Sequence, residues 1–357
     1  MRAAAGEASP TVRFTGIGSL PDEFGFSIDD RRFSPSLFQQ RAVDMSPQIP
    51  YLAEAPGRGR GADMIGRTLA MSSAVSRDFS ASLTTTGWRR SAPGKDIESA
   101  TALLAADVDA FCAAIAGFDG VVKIQLAGPF TVAAMLEGST GERMIADSGF
   151  VNDLAAVIAE AAAQLASTIT RQSAVDKLLV QFDEPMLPQV IDGTLSTASG
   201  LRAHAAWPAA DVTAILSHML ADLAHAAWLH CCAAKPPLSV LRDCGATGLS
   251  IDSRAIDAEA LDVIGDAIDS DVDIVLGVLQ PSQWTVPEAQ LASAAAAAVD
   301  RLRQRLGFDE QIWNQRLVLS PSCGLAGASA AHARTVMAAL HAASTSVSGG
   351  RISDDGA

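Results

Sequence analysis

A chain of 357 residues suits one large domain or two ordinary ones, and 49% hydrophobic residues allow an extensive core. Its formal net charge of -14 argues against a nucleic-acid partner, which would need a basic patch to displace counterions from phosphate. No stretch reaches the roughly 18 uninterrupted apolar residues that a bilayer span demands, so no membrane association is expected.

The opening MRAAAGEASPTVRF lacks the apolar centre of a secretory signal, so a cytoplasmic location is expected, with residues 1–11 a flexible N-terminus. VRFTGIGS (12–19) reads as a first strand closed by Ser19. The following DEFGFSIDDRRFSPSLFQQ is a long insertion, suited to capping a site or meeting a partner. APGRGRGADMIGR (55–67) is the Arg-dense stretch, and its glycines suit a loop that either shapes a pocket or is simply solvated. FSASLTTTGW (79–88) is a weaker second strand, followed by a helix near 97–117.

VVKIQLAG (121–128) and KLLVQFDEP (177–185) are further strands, separated by a helix near 150–172. TASG (197–200) begins a long excursion before a helix near 210–224. AAWLHCC (226–232), GLSID (248–252), DIVLGVL (273–279) and RLVLSPSC (316–323) complete eight strands, with helices near 236–243, 256–269, 286–306 and 328–345. The tail 346–357 has too few apolar residues for a core and is expected to be disordered.

Near-continuous apolar runs such as KLLVQF mark parallel strands buried on both faces, and eight strand and helix units suggest an α/β fold: a single-domain (β/α)8 TIM barrel over 12–345. A doubly wound sheet ranks second, because GIGSLP is not the G-x-G-x-x-G turn of that fold. In a barrel, chemistry gathers where strands end. Ser19, Asp183, Glu184, His230, Cys232, Asp252 and Cys323 all stand at such ends.

Five cysteines, at 112, 231, 232, 244 and 323, are an odd number, which in a reducing compartment argues for packing, catalysis or metal rather than disulfides. On an extended segment, residues i and i+2 face one side, so His230 and Cys232 converge while Cys231 turns away. H-x-C alone is a weak signal. Cys323 as a second thiolate and Asp252 as a hard fourth donor strengthen it, and such a mixed set suits Zn2+. Cys112, Cys231 and Cys244 read as small buried hydrophobes.

Together, TGIGSLP, VQFDEP, HCC, LSID and SPSCGL resemble, in this order, the C-terminal catalytic domain of cobalamin-independent methionine synthase. That family is a zinc methyltransferase of the uroporphyrinogen-decarboxylase-like barrel superfamily, and the likeness is nearer to its short, single-barrel members. By this resemblance His230, Cys232 and Cys323 fall on zinc ligands, and Asp252 where the family has a glutamate ligand. Ile17, Gly18 and Ser19 match the segment that holds the substrate carboxylate, and Asp183 the aspartate that holds its amino group. Asp63 is retained from the family's acidic substrate loop, whereas Arg58 stands where that loop has its acidic contact. Asp183 and its neighbour Glu184 are the catalytic candidates, although Glu184 also suits a supporting hydrogen-bond role.

The implied reaction is methyl transfer to the thiol of homocysteine, with methyltetrahydrofolate or a methyl-corrinoid carrier protein as donor. GVLQPSQW lacks the family's histidine acid and AGPFTVAAML its folate-stacking tryptophan, with Phe130 the nearest aromatic, which favours a donor other than free folate. The alternatives are alkylation of another thiol, such as coenzyme M, and a non-catalytic zinc-binding barrel.

Overall fold

The computed structural model describes residues 11–348 apart from 28, 29, 31, 283 and 285. The expected flexible N-terminus lies almost wholly outside the described residues, as do residues 349–357 of the expected tail. The last helix, Ala330–Ser348, runs three residues into that tail.

The strands in chain order are β1 (Arg13–Phe14), β2 (Ala81–Leu83), β3 (Trp88–Arg90), β4 (Val122–Ala127), β5 (Leu136–Glu137), β6 (Leu178–Asp183), β7 (Ala226–Cys231), β8 (Gly248–Asp252), β9 (Asp273–Leu279) and β10 (Leu317–Pro321). Seven of them form one parallel sheet in the order β1, β10, β9, β8, β7, β6, β4. Every residue of β4, β6, β8 and β10 is buried, as expected where a parallel strand is covered on both faces.

The expected second strand at 79–88 is not part of this sheet. Its residues lie in an antiparallel hairpin of β2 and β3, to which β5 adds to make a separate three-stranded sheet. The aromatic and β-branched content of FSASLTTTGW serves that side structure. Residues 50–54 stand instead between the edges of the large sheet. Lys123 N donates to Pro50 O at 2.8 Å and Leu52 N to Lys123 O at 3.1 Å; on the other side Leu20 N donates to Glu54 O at 2.8 Å and Glu54 N to Gly18 O at 3.0 Å. The sheet thus curls until both edges reach the same segment.

Alternation along the strands separates two environments. Leu178, Val180, Phe182, Leu229, Leu249, Ile274, Leu276 and Leu319 join the helices in the main core. The inner face carries a small separate cluster of Ile49, Leu179, Trp228, Val275 and Val318. Along the same face, toward the strand ends, the side chains turn polar: Lys123, Gln125, Gln181, Asp183, His230 and Ser250.

Candidate metal centre

β7 places His230 one residue before its end, in register with Asp183 of β6 and Ser250 of β8. Cys232 follows immediately, and Cys323 lies two residues past β10. One donor atom from each of His230, Cys232 and Cys323 lies within 4.8 Å of the others. The two sulfurs are 3.5 Å apart, close to the roughly 3.8 Å edge that a tetrahedron with Zn–S bonds of about 2.3 Å would give.

His230 is 3% exposed. Its Nδ1 shares a 2.9 Å hydrogen bond with the Ser250 hydroxyl, while its buried Nε2 has no partner among the described residues. A buried ring nitrogen without a partner costs free energy, and a metal ion is what would satisfy it. With Nδ1 donating to Ser250, Nε2 carries the lone pair required of a ligand. Without metal, the two thiols share a proton. The sulfur–sulfur contact lowers the Cys323 pKa to about 4, and the same contact together with burial pushes Cys232 well above the ordinary thiol range. Cys231 faces the main core fully buried, its thiol pushed up to about 12 by burial. The donor set therefore fits zinc.

Asp252 is not brought into this cluster. Its carboxylate caps the turn at Ser253–Ala255 through Arg254 N at 2.9 Å, and pairs with the Arg254 guanidinium at 2.7 Å and Gln280 Nε2 at 3.4 Å. The shorter aspartate side chain is thereby held by its own downstream arginine. Asp183 does lie beside the cluster: burial raises its pKa to about 6, opposed chiefly by the charges of His230 and Lys123. Gln181 Nε2 donates to its Oδ1 at 2.7 Å.

Glu184 is completely buried and accepts from Phe130 N at 3.0 Å, Thr131 N at 2.8 Å and the Thr131 hydroxyl at 2.6 Å. It thus caps the helix Pro129–Met135. A β-carbon at Gly128 would collide with this carboxylate, which is why the turn ahead of the helix carries a glycine. Ile17 offers its carbonyl to Lys123 and Gln181, and Gly18 its carbonyl to Glu54 N. Ser19 O accepts from Leu325 N at 2.8 Å, which sets this turn against the Cys323 loop. Asp63 is used elsewhere: it caps the helix Met64–Val75 through Gly66 N at 2.9 Å and accepts from the Trp88 indole at 3.2 Å.

Similarity to known proteins fits this geometry. A family model described as "Cobalamin-independent synthase, Catalytic domain" matches residues 101–345. The chain belongs to the cobalamin-independent methionine synthase catalytic-domain family. As a member of it, the protein is an S-methyltransferase. No curated protein sequence matches the chain. Among solved structures, a B12-independent methionine synthase from Shewanella sp. W3-18-1, in complex with selenomethionine, is similar with a TM-score of 0.60 at 12% identity, over 94% of this chain and 97% of that one. That likeness is one of fold. A lactate oxidase from Pediococcus acidilactici, with 14% identity over 67% of this chain and 60% of that one, reaches a TM-score of only 0.25 and has no bearing on the fold.

Two departures from the family's sequence pattern have structural explanations. Arg58 does not project into the site: its guanidinium binds Asp107 with two contacts of 2.5–2.6 Å, and Arg67 binds the same carboxylate. Phe130 is fully buried and packs edge-on against Trp207, with ring centroids 5.3 Å apart, so it offers no open face for stacking. The sequence reading passed over Lys123 and Gln181, both fully buried on the inner face. The signal for Lys123 was a lone cation inside the otherwise apolar VVKIQLAG.

Proposed function

We propose that this synthase-family member is a zinc-dependent methyltransferase whose acceptor is an amino-acid thiol of the homocysteine type and whose donor is a methylated corrinoid carrier protein. The observation that carries this reading is the convergence of His230, Cys232 and Cys323 with the His230 Nε2 left without a partner. Zinc held there would keep the acceptor sulfur as thiolate near neutral pH, where a free thiol is mostly protonated. A neutral imidazole and two cysteinates balance its charge, 2 - 2 = 0, so an arriving thiolate leaves a formal -1 and a strongly nucleophilic sulfur.

The chain's own residues would do the rest. The Ile17–Ser19 turn, set against the Cys323 loop, is assigned to the acceptor's carboxylate, and Asp183 to its ammonium. Arg58, neutralised by Asp107, puts no positive charge against that ammonium, which supports homocysteine over coenzyme M. Glu184 positions the β4 and β6 strand ends, Asp63 holds its helix and Trp88, and Asp252 holds Arg254. In the bridging of residues 50–54 to both edges we read the eighth stave of a (β/α)8 barrel, whose strand ends gather these groups.

The donor assignment rests on proton accounting. Release of a folate amine needs a proton at the departing nitrogen, yet the loop after β9 presents Gln280, held between Arg254 and Asp252. A methyl–cobalt donor needs none: the sulfur–methyl bond forms as the carbon–cobalt bond breaks and its electron pair stays on cobalt.

Zinc content and X-ray absorption at the zinc edge, with and without homocysteine, test the centre. A further sulfur should enter the zinc shell on adding homocysteine; absence of zinc, or an unchanged shell, would overturn the reading. Turnover with methylcobalamin should exceed turnover with methyltetrahydrofolate, and the reverse order would remove the donor assignment.

A further inference from the structure

Lys123 is completely buried on the inner face of β4, where its register partner on β6 is Leu179 of the apolar inner cluster. An ammonium in such a place is costly unless its hydrogen bonds are met. Here two of the three N–H donors are met in a specific way, and the Tyr51 ring lies 5.2 Å from the nitrogen. Lys123 Nζ donates to Ile17 O at 2.6 Å and to Gln181 Oε1 at 2.9 Å. Gln181 Nε2 donates to the same Ile17 O at 2.9 Å and to Asp183 Oδ1 at 2.7 Å.

An amide side chain can ordinarily sit either way round. Its partners remove that freedom: the Ile17 carbonyl only accepts, so the Gln181 NH2 must face it and Asp183, which leaves the Gln181 oxygen to receive Lys123 Nζ. One carboxylate oxygen of Asp183 is thereby engaged from behind. The Ile17 carbonyl, which receives both donors, is fixed relative to Asp183 by the same two side chains.

We propose that Lys123 and Gln181 are positioning residues that hold the Ile17–Ser19 turn and Asp183 at the separation of an α-amino acid's carboxylate and ammonium, and so make the enzyme selective for amino-acid thiols. This rests on the reading of Asp183 as the ammonium site. Neither residue touches the acceptor; each acts through a group that does.

The test compares binding of homocysteine with binding of 4-mercaptobutanoate, the same thiol without the amino group, to the zinc-loaded enzyme by titration calorimetry. Wild type should prefer homocysteine, and Asp183→Asn should abolish that preference. Gln181→Leu and Lys123→Met, checked for zinc content and circular dichroism, should each lower the preference about tenfold, the scale of one hydrogen bond to a charged group, with 4-mercaptobutanoate affinity little changed. A merely structural role would weaken both thiols alike. If Asp183→Asn removes the preference but folded Gln181→Leu keeps it, the positioning inference fails alone. If Asp183→Asn keeps it, the ammonium assignment fails and takes the inference with it. Should Lys123→Met not fold, Gln181→Leu decides the matter.

Discussion

Two neighbouring parts of the molecule treat buried polar groups in opposite ways. Behind residues 54–67, Asp107 binds both Arg58 and Arg67, and Arg67 lies 3.6 Å from Glu54, so that buried charges are answered by buried charges. At the ends of β7 and β10, His230 Nε2 has no partner and two sulfurs share a proton. In the first region every charge has an opposite charge beside it although Arg58 Nε has no partner, whereas in the second three potential metal donors converge around an unpartnered ring nitrogen. Loss of a residue should therefore cost stability in the first region and function in the second.

The largest effect should come from the second. Cys232→Ser or Cys323→Ser should abolish zinc binding, measured by plasma mass spectrometry, and lower methyl transfer roughly thousandfold. Cys231→Ser, on the core side of the same strand, should keep both. Equal zinc loss in all three would break the distinction between the two faces.

In the charge-paired network, Asp107→Ala leaves the buried Arg58 guanidinium without an anion and Arg67 with only Glu54, 3.6 Å away. We expect a loss of about 3–5 kcal/mol in urea unfolding, with metal content unchanged in the protein that remains folded. A loss under 1 kcal/mol would show that water reaches these groups.

Glu184 gives a pH-dependent version of the same contrast. Burial pushes its carboxyl from 4.5 up to about 7, against the pull of Thr131 and Phe130. The folded protein therefore binds this proton more tightly than the unfolded chain. Its contribution is fully present below about pH 4.5, is lost as pH rises to about 7, and is flat above that. The total is up to roughly 3 kcal/mol. Melting temperatures of Glu184→Gln across this range should lack that slope; an identical slope in both proteins would assign it to another group.

The smallest effect concerns Asp63. As a helix cap it should cost about 1 kcal/mol on Asp63→Ala and leave KM for the thiol near the wild-type value. A large rise in KM without loss of stability would return Asp63 to the substrate site.

The strands that pack between helices were readable in the sequence because burial on both faces writes an unbroken apolar run, as in β6 and β9. The segment 50–54 escaped notice because PYLAE is short and opens on a proline, although Tyr51, Leu52 and Ala53 are buried in the core. FSASLTTTGW carried the stronger local β signal, but local preference does not say which sheet a strand joins. At the site, H-x-C and the lone Cys323 were legible because a fixed two-residue alternation aims them. Asp252 and Arg58 were not, since the arginine that binds Asp252 and the aspartate that binds Arg58 lie in loops and helices whose positions only the folded chain supplies. Lys123 was visible as a letter, yet its partners, Ile17 and Gln181, are 106 and 58 residues away.

The parallel pairing that aligns Asp183, His230 and Ser250 has a consequence for folding fidelity. Because side chains alternate every residue, a slip of β7 by one position would turn His230 and Cys232 toward the helices and present Cys231 instead. Such a chain could keep its helices and its apolar content, but it would bury His230 among apolar side chains at a cost in stability and would lose the convergence of His230 and Cys232 with Cys323. If the chain takes up metal as proposed, uptake would report on register: it would distinguish correctly paired molecules from slipped ones that secondary-structure spectroscopy would count as folded.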